Sequence, residues 1–324
     1  MKPRIGFLGT GWIGRHRMEA MLATGAIEAV AFVDPSSKGA AQALMLAPNA
    51  TQADDLDALL ALGLDGVVIA TPSAMHAEQS IRALDAGVAV FCQKPLGRTA
   101  AEVDAVIAAA RTADRLLGVD LSYRHTAGMR AIAELVRSGA LGQLFAVDLV
   151  FHNAYGPDKP WFYDPAQSGG GCVIDLGVHL VDLALWTLGF PAVSDVHASL
   201  RAQGVPLGAM QVEDYATASF RAGGADVRLA CSWRVHAGTD AEIAAVFYGT
   251  EGGAALRNVG GSFYDFVAER FTGTSKTLLA SPPDAWGGRA AAAWAEQLAR
   301  ATRFDPEAEH FARAAEVLDR IYGR

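Results

Sequence analysis

The chain has 324 residues, 51% of them hydrophobic and 19% charged, with a formal net charge of −8. That length holds one large or two ordinary domains, and the composition is that of a globular protein with a large core, not of a disordered chain. The negative balance speaks against nucleic acid or an anionic membrane as a partner, because neither would attract it.

Met1-Lys-Pro-Arg ahead of an apolar run has the outline of a secretory start, but no small-residue cleavage site follows and the run reads as a strand over 4–8. That strand feeds Gly9-Thr-Gly-Trp-Ile-Gly14, after which Trp12, Ile13, Met18, Met21 and Leu22 recur at helical spacing over 12–23. A G-x-G-x-x-G match is weak in a chain with 34 glycines. Its place between a strand and a helix makes it a dinucleotide site. Gly9 gives the tight turn, Gly11 lets backbone approach a pyrophosphate and Gly14 lets helix pack on strand. The helix N-terminus offers its free N–H groups to the phosphates. A second apolar run, 27–33, ends in Asp34, where such a fold places the acid that accepts from the adenosine ribose. A carboxylate there would repel a 2′-phosphate, so NAD is the expected cofactor. Ser36, Ser37 and Lys38 keep NADP as the second choice.

Strands at 66–70, 88–92 and 116–119 alternate with helical patterns at 37–46, 74–86 and 99–113. Short, continuously apolar strands between helices predict a parallel sheet covered on both faces, occupying 1–120. Ala70-Thr-Pro-Ser-Ala-Met-His76 follows one of these strands. Ligands bind at the carboxyl ends of parallel strands, which puts Thr71 and His76 in position to line the cofactor groove. An ordinary helix entry capped by Ser73 is the plainer alternative. At the next strand end, Cys92-Gln-Lys94-Pro95 uses proline to stop the strand and direct the lysine. Lys94 is then either a solvated side chain or one that orients a substrate hydroxyl.

Beyond Asp120 the texture changes. Helical patterns at 126–138 and 175–188 flank a strand over 144–151 and a loop rich in Pro, Gly and aromatics. Segments of β type with Gly-rich turns fill 192–270, and helices follow at 286–300 and 307–322. Consecutive strands predict a large, mainly antiparallel sheet in a second α/β domain over 121–324, its C-terminal helices being candidates to pack back on the first. Within Gly169-Gly-Gly-Cys-Val-Ile-Asp175-Leu-Gly-Val-His179, the acid and the histidine are four apart on a helix and face one way. No further ligand at telling spacing accompanies them, so no metal is expected and acid–base work suits them better. A helix-terminal acid beside a core histidine is an equally open reading. The glycine triplet would let backbone approach a ligand. Cys92, Cys172 and Cys231 are far apart in sequence and form no zinc-type cluster, which predicts reduced thiols in the cytoplasm. No uninterrupted apolar run has the length of a membrane span.

Taken together, GTGWIGRH, ATPSAMH, QKP, SYRHTAGMRAIAELVRSGALGQL, Trp161 and GGGCVIDLGVHLVDLALWTLG resemble, in this order, the Gfo/Idh/MocA oxidoreductases. The resemblance runs over essentially the whole chain. It implies an N-terminal Rossmann domain with a doubly wound sheet, and a C-terminal α/β domain whose open sheet often makes oligomer contacts. Gly9, Gly11, Trp12, Ile13 and Gly14 would then hold the pyrophosphate and Asp34 the ribose. Thr71, Pro72, His76, Gln93 and Lys94 would serve the nicotinamide side. Lys94 matches the lysine of an E-K-P motif, and Asp175 and His179 match a D-x-x-x-H pair. Gln93 departs from the family, which usually has Glu before the lysine.

The implied reaction is hydride transfer between nicotinamide and a secondary alcohol or ketone of a sugar, cyclitol or related polyol. His179 would move the proton, with Lys94 and Asp175 orienting the hydroxyl. Arg124, Tyr155, Trp161 and Phe162 are candidates for the substrate side. Two other activities fit the same residues: an NAD-using glycosidase that oxidises its sugar transiently, and a nucleotide-binding sensor without turnover. Apolar residues on both faces of the predicted sheet further suggest a homodimer or homotetramer, with Val212, Tyr215, Ala218, Leu229 and Trp233 on the exposed face.

Overall fold

A computed structural model describes residues 1–324, which divide into two compact units. The first comprises Met1–Asp120 and Gly288–Ala312, the second Leu121–Gly287 and Arg313–Arg324.

In the first unit, strands β1 (Arg4–Leu8), β2 (Glu28–Val33), β3 (Thr51–Gln52), β4 (Gly66–Ile69), β5 (Ala89–Cys92) and β6 (Leu117–Val119) form one sheet in the order β3-β2-β1-β4-β5-β6. Every pairing is parallel. This is the doubly wound order with its crossover beside β1, which leaves the carboxyl ends of β1 and β4 as the ligand-binding edge. Helices α1 (Trp12–Ala23), α2 (Ser37–Leu46), α3 (Leu56–Leu60), α4 (Ser73–Asp85) and α5 (Ala100–Ala113) connect the strands. Side chains of Ser36, Asp55 and Thr99 cap α2, α3 and α5 by accepting from backbone N–H groups in the first turn. Hydrophobic periodicity did not reveal β3 and α3, because β3 is two exposed residues and α3 little more than one turn.

The second unit is built on helix α6 (Ala127–Arg137), strand β7 (Leu144–Asn153), the short helix α7 (Pro165–Ser168) and the core helix α8 (Val178–Leu188). Strands β8 (Val193–Ala202), β9 (Val205–Pro206), β10 (Tyr215–Ala222), β11 (Ala225–Ser232), β12 (Ala241–Gly249), β13 (Gly253–Asn258), β14 (Phe266–Thr272) and β15 (Ser275–Ala280) follow. They assemble with β7 into a nine-stranded sheet, ordered β15-β14-β13-β12-β7-β11-β10-β8-β9 and parallel only at β7–β11. The stretch Pro165–Leu188 is apolar and long enough to cross a membrane, but 83% of its most apolar window is buried inside the protein, where it serves as core. Two terminal helices complete the chain, α9 (Arg289–Arg300) and α10 (His310–Tyr322). Trp294 of α9 lies in the core of the first unit, its ring 5.7 Å from that of Phe91.

The faces of the large sheet differ from expectation. Ala218 pairs with Leu229 across the β10–β11 hairpin, and both are buried with Ala216, Phe220, Cys231 and Trp233. Of the residues expected on the exposed face, only Tyr215 lies there, and Val212 precedes the strand. The alternation has a period of two, and Tyr215 and Ala218 have opposite parity in β10, so the strand cannot present both on one face. The open face instead carries the row Ser199–Thr217–Ala230–Val150–Ala244–Arg257, read across neighbouring strands.

Candidate active site

In the first unit the glycine turn is shaped by close contacts. Gly9 has φ +88°, and a Cβ there would lie 2.6 Å from the Ala70 carbonyl oxygen. A Cβ on Gly14 would meet the Gly9 carbonyl oxygen at 2.1 Å, so this glycine lets α1 dock on β1. Gly11 is different: a Cβ there would have no atom within 4 Å. It borders open space at the start of α1, whose first turn has no side-chain cap. Uncapped N–H groups beside an open glycine fit a dinucleotide pyrophosphate, whose oxygens would be the missing acceptors. Trp12 is 62% exposed above this turn, its ring stacked with that of His16, while Ile13 is half-buried. Gly11→Ala is therefore expected to leave the melting temperature close to wild type while weakening NAD binding about tenfold or more, read by fluorescence titration. Unchanged affinity would remove the pyrophosphate from this turn.

Asp34, at the end of β2, binds the same turn. Its Oδ2 accepts from the Thr10 amide at 2.7 Å and the Thr10 hydroxyl at 2.9 Å, and its Oδ1 accepts from the Ser36 amide at 2.8 Å. Two carboxylate oxygens have about four acceptor sites, which leaves capacity for a ribose hydroxyl. Thr71 donates its hydroxyl to Gln79 Oε1 at 2.6 Å, and Pro72 stands at the N-cap of α4.

His76 does not line an opening. It is 1% exposed, and its Nδ1 and Nε2 lie 2.7 Å from the carbonyl oxygens of Pro95 and Thr71 respectively. One turn into α4, the ring points inward and ties the loop after β4 to the loop after β5. Burial lowers its pKa, against the two carbonyls, which favour the charged ring. In that second loop Lys94 is half-buried ahead of a cis proline, and Gln93 donates Nε2–H to Asp120 Oδ2 at 2.5 Å.

In the second unit, Asp175 lies in a π-helical turn (Val173–Gly177) that runs into α8, which carries His179. Single π turns inside helices are frequent at functional sites. The indole Nε1–H of Trp233 donates to Asp175 Oδ2 at 3.1 Å. His179 is 7% exposed and packs against the Tyr123 ring at 4.8 Å between centroids.

The glycine triplet ahead of this turn is occupied by protein. A Cβ on Gly170 would sit 2.1 Å from the Tyr322 hydroxyl oxygen, and one on Gly171 would sit 1.9 Å from the Glu213 carbonyl oxygen. The Glu213 carboxylate is fully buried and accepts from Gly171 N–H at 3.0 Å, Val173 N–H at 2.8 Å and Tyr322 O–H at 2.7 Å. The triplet thus serves to seat a buried carboxylate under the Asp175 turn, which corrects the expectation that it admits a ligand.

Arg124 is also otherwise engaged. Its Nε donates to Asp182 Oδ2 at 2.7 Å, its Nη2 pairs with Oδ1, and the guanidinium lies 5.3 Å from the Phe190 ring centroid. Burial raises the Asp182 pKa, and Arg124 pulls it back down. Of the other substrate candidates, Tyr155 is 53% exposed, and Trp161 stacks on Phe162 at 3.8 Å. Phe162 and Tyr163 both meet Trp233 edge-on, so an aromatic cluster backs the group that holds Asp175. Sequence reasoning missed Glu213, Tyr322, Tyr123 and Tyr163, and placed Trp233 on the wrong face. No three or more His, Cys, Asp or Glu side chains are grouped to hold a metal.

Residues 3–121 match a family model described as an oxidoreductase family with NAD-binding Rossmann fold, and 129–255 match the GFO/IDH/MocA C-terminal domain. A putative UDP-kanosamine synthase oxidoreductase subunit of Amycolatopsis mediterranei is 32% identical over 278 residues, 79% of this chain and 75% of that protein. The D-glucoside 3-dehydrogenase of Escherichia coli K12 is 34% identical over 152 residues, 46% of this chain and only 43% of the relative's length. The crystal structure of GenD2 from gentamicin A biosynthesis, in complex with NAD, superposes with a TM-score of 0.82 at 25% identity, covering 99% of this chain and 93% of that one. With both halves matched in order and a relative aligned over most of its length, the chain belongs to the Gfo/Idh/MocA family of oxidoreductases.

Proposed function

We propose that the protein is an NAD-dependent dehydrogenase or reductase acting on a secondary alcohol or ketone of a sugar, cyclitol or related polyol. The observation that carries this is the open, uncapped turn at Gly11 beside the Asp34 carboxylate in a chain that also keeps Lys94, Asp175 and His179. The relatives named above, a D-glucoside 3-dehydrogenase and a putative UDP-kanosamine synthase oxidoreductase subunit, support a carbohydrate substrate.

In this reading Gly9, Gly11, Trp12, Ile13 and Gly14 hold the pyrophosphate. Asp34 accepts from the adenosine ribose and disfavours a 2′-phosphate, with NADP as the second choice. Thr71, Pro72, Gln93 and Lys94 serve the nicotinamide side, and His76 fixes the two loops that carry them. When bound, NAD supplies the hydride acceptor. His179 takes the hydroxyl proton during oxidation and returns it during reduction. Lys94 orients the reacting oxygen and stabilises negative charge on it. Asp175, held by the Trp233 N–H, orients its histidine and the hydroxyl. Trp161, Phe162 and Tyr155 offer ring faces to a sugar, while Arg124 acts through its pair with Asp182. The three cysteines are free thiols, as suits the cytoplasm.

Incubation with NAD and a panel of sugars, polyols and inositols, followed by absorbance of NADH, tests the reading. Net NADH with at least one of them is expected, together with tighter binding of NADH than of NADPH. Hydrolysis of a glycoside without net NADH, or cofactor binding with no turnover across a broad panel, would overturn it.

Assembly into a homodimer or homotetramer through the open sheet face belongs to the same proposal. Ala230, Val150 and Ala244 form an apolar strip across its three central strands, beside the Arg228–Asp148 pair at 2.8 Å. A small apolar strip with a polar border is suited to meeting a second copy of itself. Light scattering should give a multiple of the 34.0 kDa chain mass, and Val150→Glu should reduce it to the monomer while NAD binding persists. A monomeric wild type would end the argument.

A further inference from the structure

A buried polar cluster joins three pieces of the cofactor unit. Arg17 of α1 donates Nε–H to Asp120 Oδ2 at 2.5 Å, and Gln93 donates Nε2–H to the same oxygen, also at 2.5 Å. The three residues are 5%, 1% and 7% exposed. Arg17 follows the glycine turn on α1, Gln93 precedes Lys94 at the end of β5, and Asp120 directly follows β6. The other oxygen of Asp120 is buried without a partner. One positive and one negative charge are thus enclosed, and they balance only while position 93 is neutral. A glutamate at 93 would set two carboxylates against one guanidinium in a site nearly free of water, where one of them would have to hold a proton.

We propose that Asp120 and Gln93 are a coupled pair in which the single buried acid of the cluster stands at residue 120 and positions the Gln93–Lys94 segment. Asp120 is a positioning residue here: it acts on Lys94 through Gln93, and on the glycine-turn helix through Arg17. The amide at 93 keeps the hydrogen bond that a carboxylate could make only when protonated, so the departure from E-K-P is the partner of Asp120 and not a loss of function.

The inference rests on the dehydrogenase reading only for its kinetic arm. Three variants test it: Q93E, D120N and Q93E/D120N, which give the cluster charges of −1, +1 and 0 against 0 in the native chain. Each single variant should melt several degrees lower, with and without NAD, and the double variant should recover most of that loss, since groups that share one network are not additive. With an active substrate, D120N should lower kcat about tenfold while KM for the alcohol changes less than about threefold, and Q93E/D120N should regain part of the rate. Asparagine preserves the shape and one acceptor at residue 120, so D120N reads the charge. A Q93E variant with native melting temperature, or single losses that simply add in the double, would overturn the coupling. Normal melting behaviour in D120N would do so as well. Absence of turnover with every polyol would count against the dehydrogenase reading alone, because the melting arm needs no substrate.

Discussion

Replacing His179 by alanine is expected to lower kcat by about two orders of magnitude or more, the usual scale for a positioned acid–base group. Lys94→Ala should fall by a similar factor, through loss of charge at the reacting oxygen rather than loss of the proton acceptor. The two variants should differ in cofactor binding. Lys94 belongs to the unit that carries the glycine turn, whereas His179 belongs to the other unit, so His179→Ala should leave NAD affinity within about threefold of wild type. Because His179 is 7% exposed and packs on Tyr123, alanine also leaves a cavity. His179→Asn fills most of that space without a titratable ring, so an equal drop in kcat for Asn and Ala separates chemistry from packing. Near-normal turnover in His179→Asn would move the proton-transfer role to another residue.

Local signals carried the first unit. Glycines at 9, 11 and 14 lie between an apolar strand and a helix-periodic segment, and Asp34 ends the next strand; these are facts about neighbours in sequence. The five longer strands and the four longer helices between them therefore stood out, whereas β3, with two exposed residues, has no pattern to read. The large sheet was legible as a sheet, but its faces were misassigned. In β10 Ala216, Ala218, Phe220 and Ala222 alternate with Tyr215, Thr217, Ser219 and Arg221, so the parity was present in the sequence, and the expected face went wrong by grouping Tyr215 with Ala218 across it. Long-range partners were hidden altogether. Arg124 looks like a free cation until Asp182, 58 residues on, takes its guanidinium. The glycines of the triplet look like a ligand turn until Glu213 and Tyr322 occupy the space beside them. His76 shares the limitation, since its second partner is a main-chain carbonyl 19 residues away.

Glu213→Ala should be the most damaging single change outside the reacting groups. The carboxylate satisfies the amides of Gly171 and Val173 and the hydroxyl of Tyr322, all in the interior. Removing it strands these donors, and each buried group left without a partner costs about 1–3 kcal/mol, so a total of about 3 kcal/mol or more follows. For a unit of this size that corresponds to roughly 6–12 °C in melting temperature. Glu213→Gln retains one acceptor oxygen for the amides and should lose less than half as much. Tyr322→Phe removes a single donor to the carboxylate, along with the hydroxyl oxygen that accepts from the Ile174 amide at 3.2 Å, and should fall between wild type and Glu213→Ala. The activity should follow a different order from the melting temperature. These bonds fix the Gly171–Ile174 backbone from which the π-helical turn bearing Asp175 starts, and a shift of about 1 Å there can cost about a hundredfold in rate. Assayed well below its melting temperature, Glu213→Gln should therefore lose more in kcat than its modest destabilisation accounts for, with KM for NAD unchanged. If kcat remains at the wild-type value while the melting temperature falls, Glu213 stabilises the fold and has no part in placing Asp175.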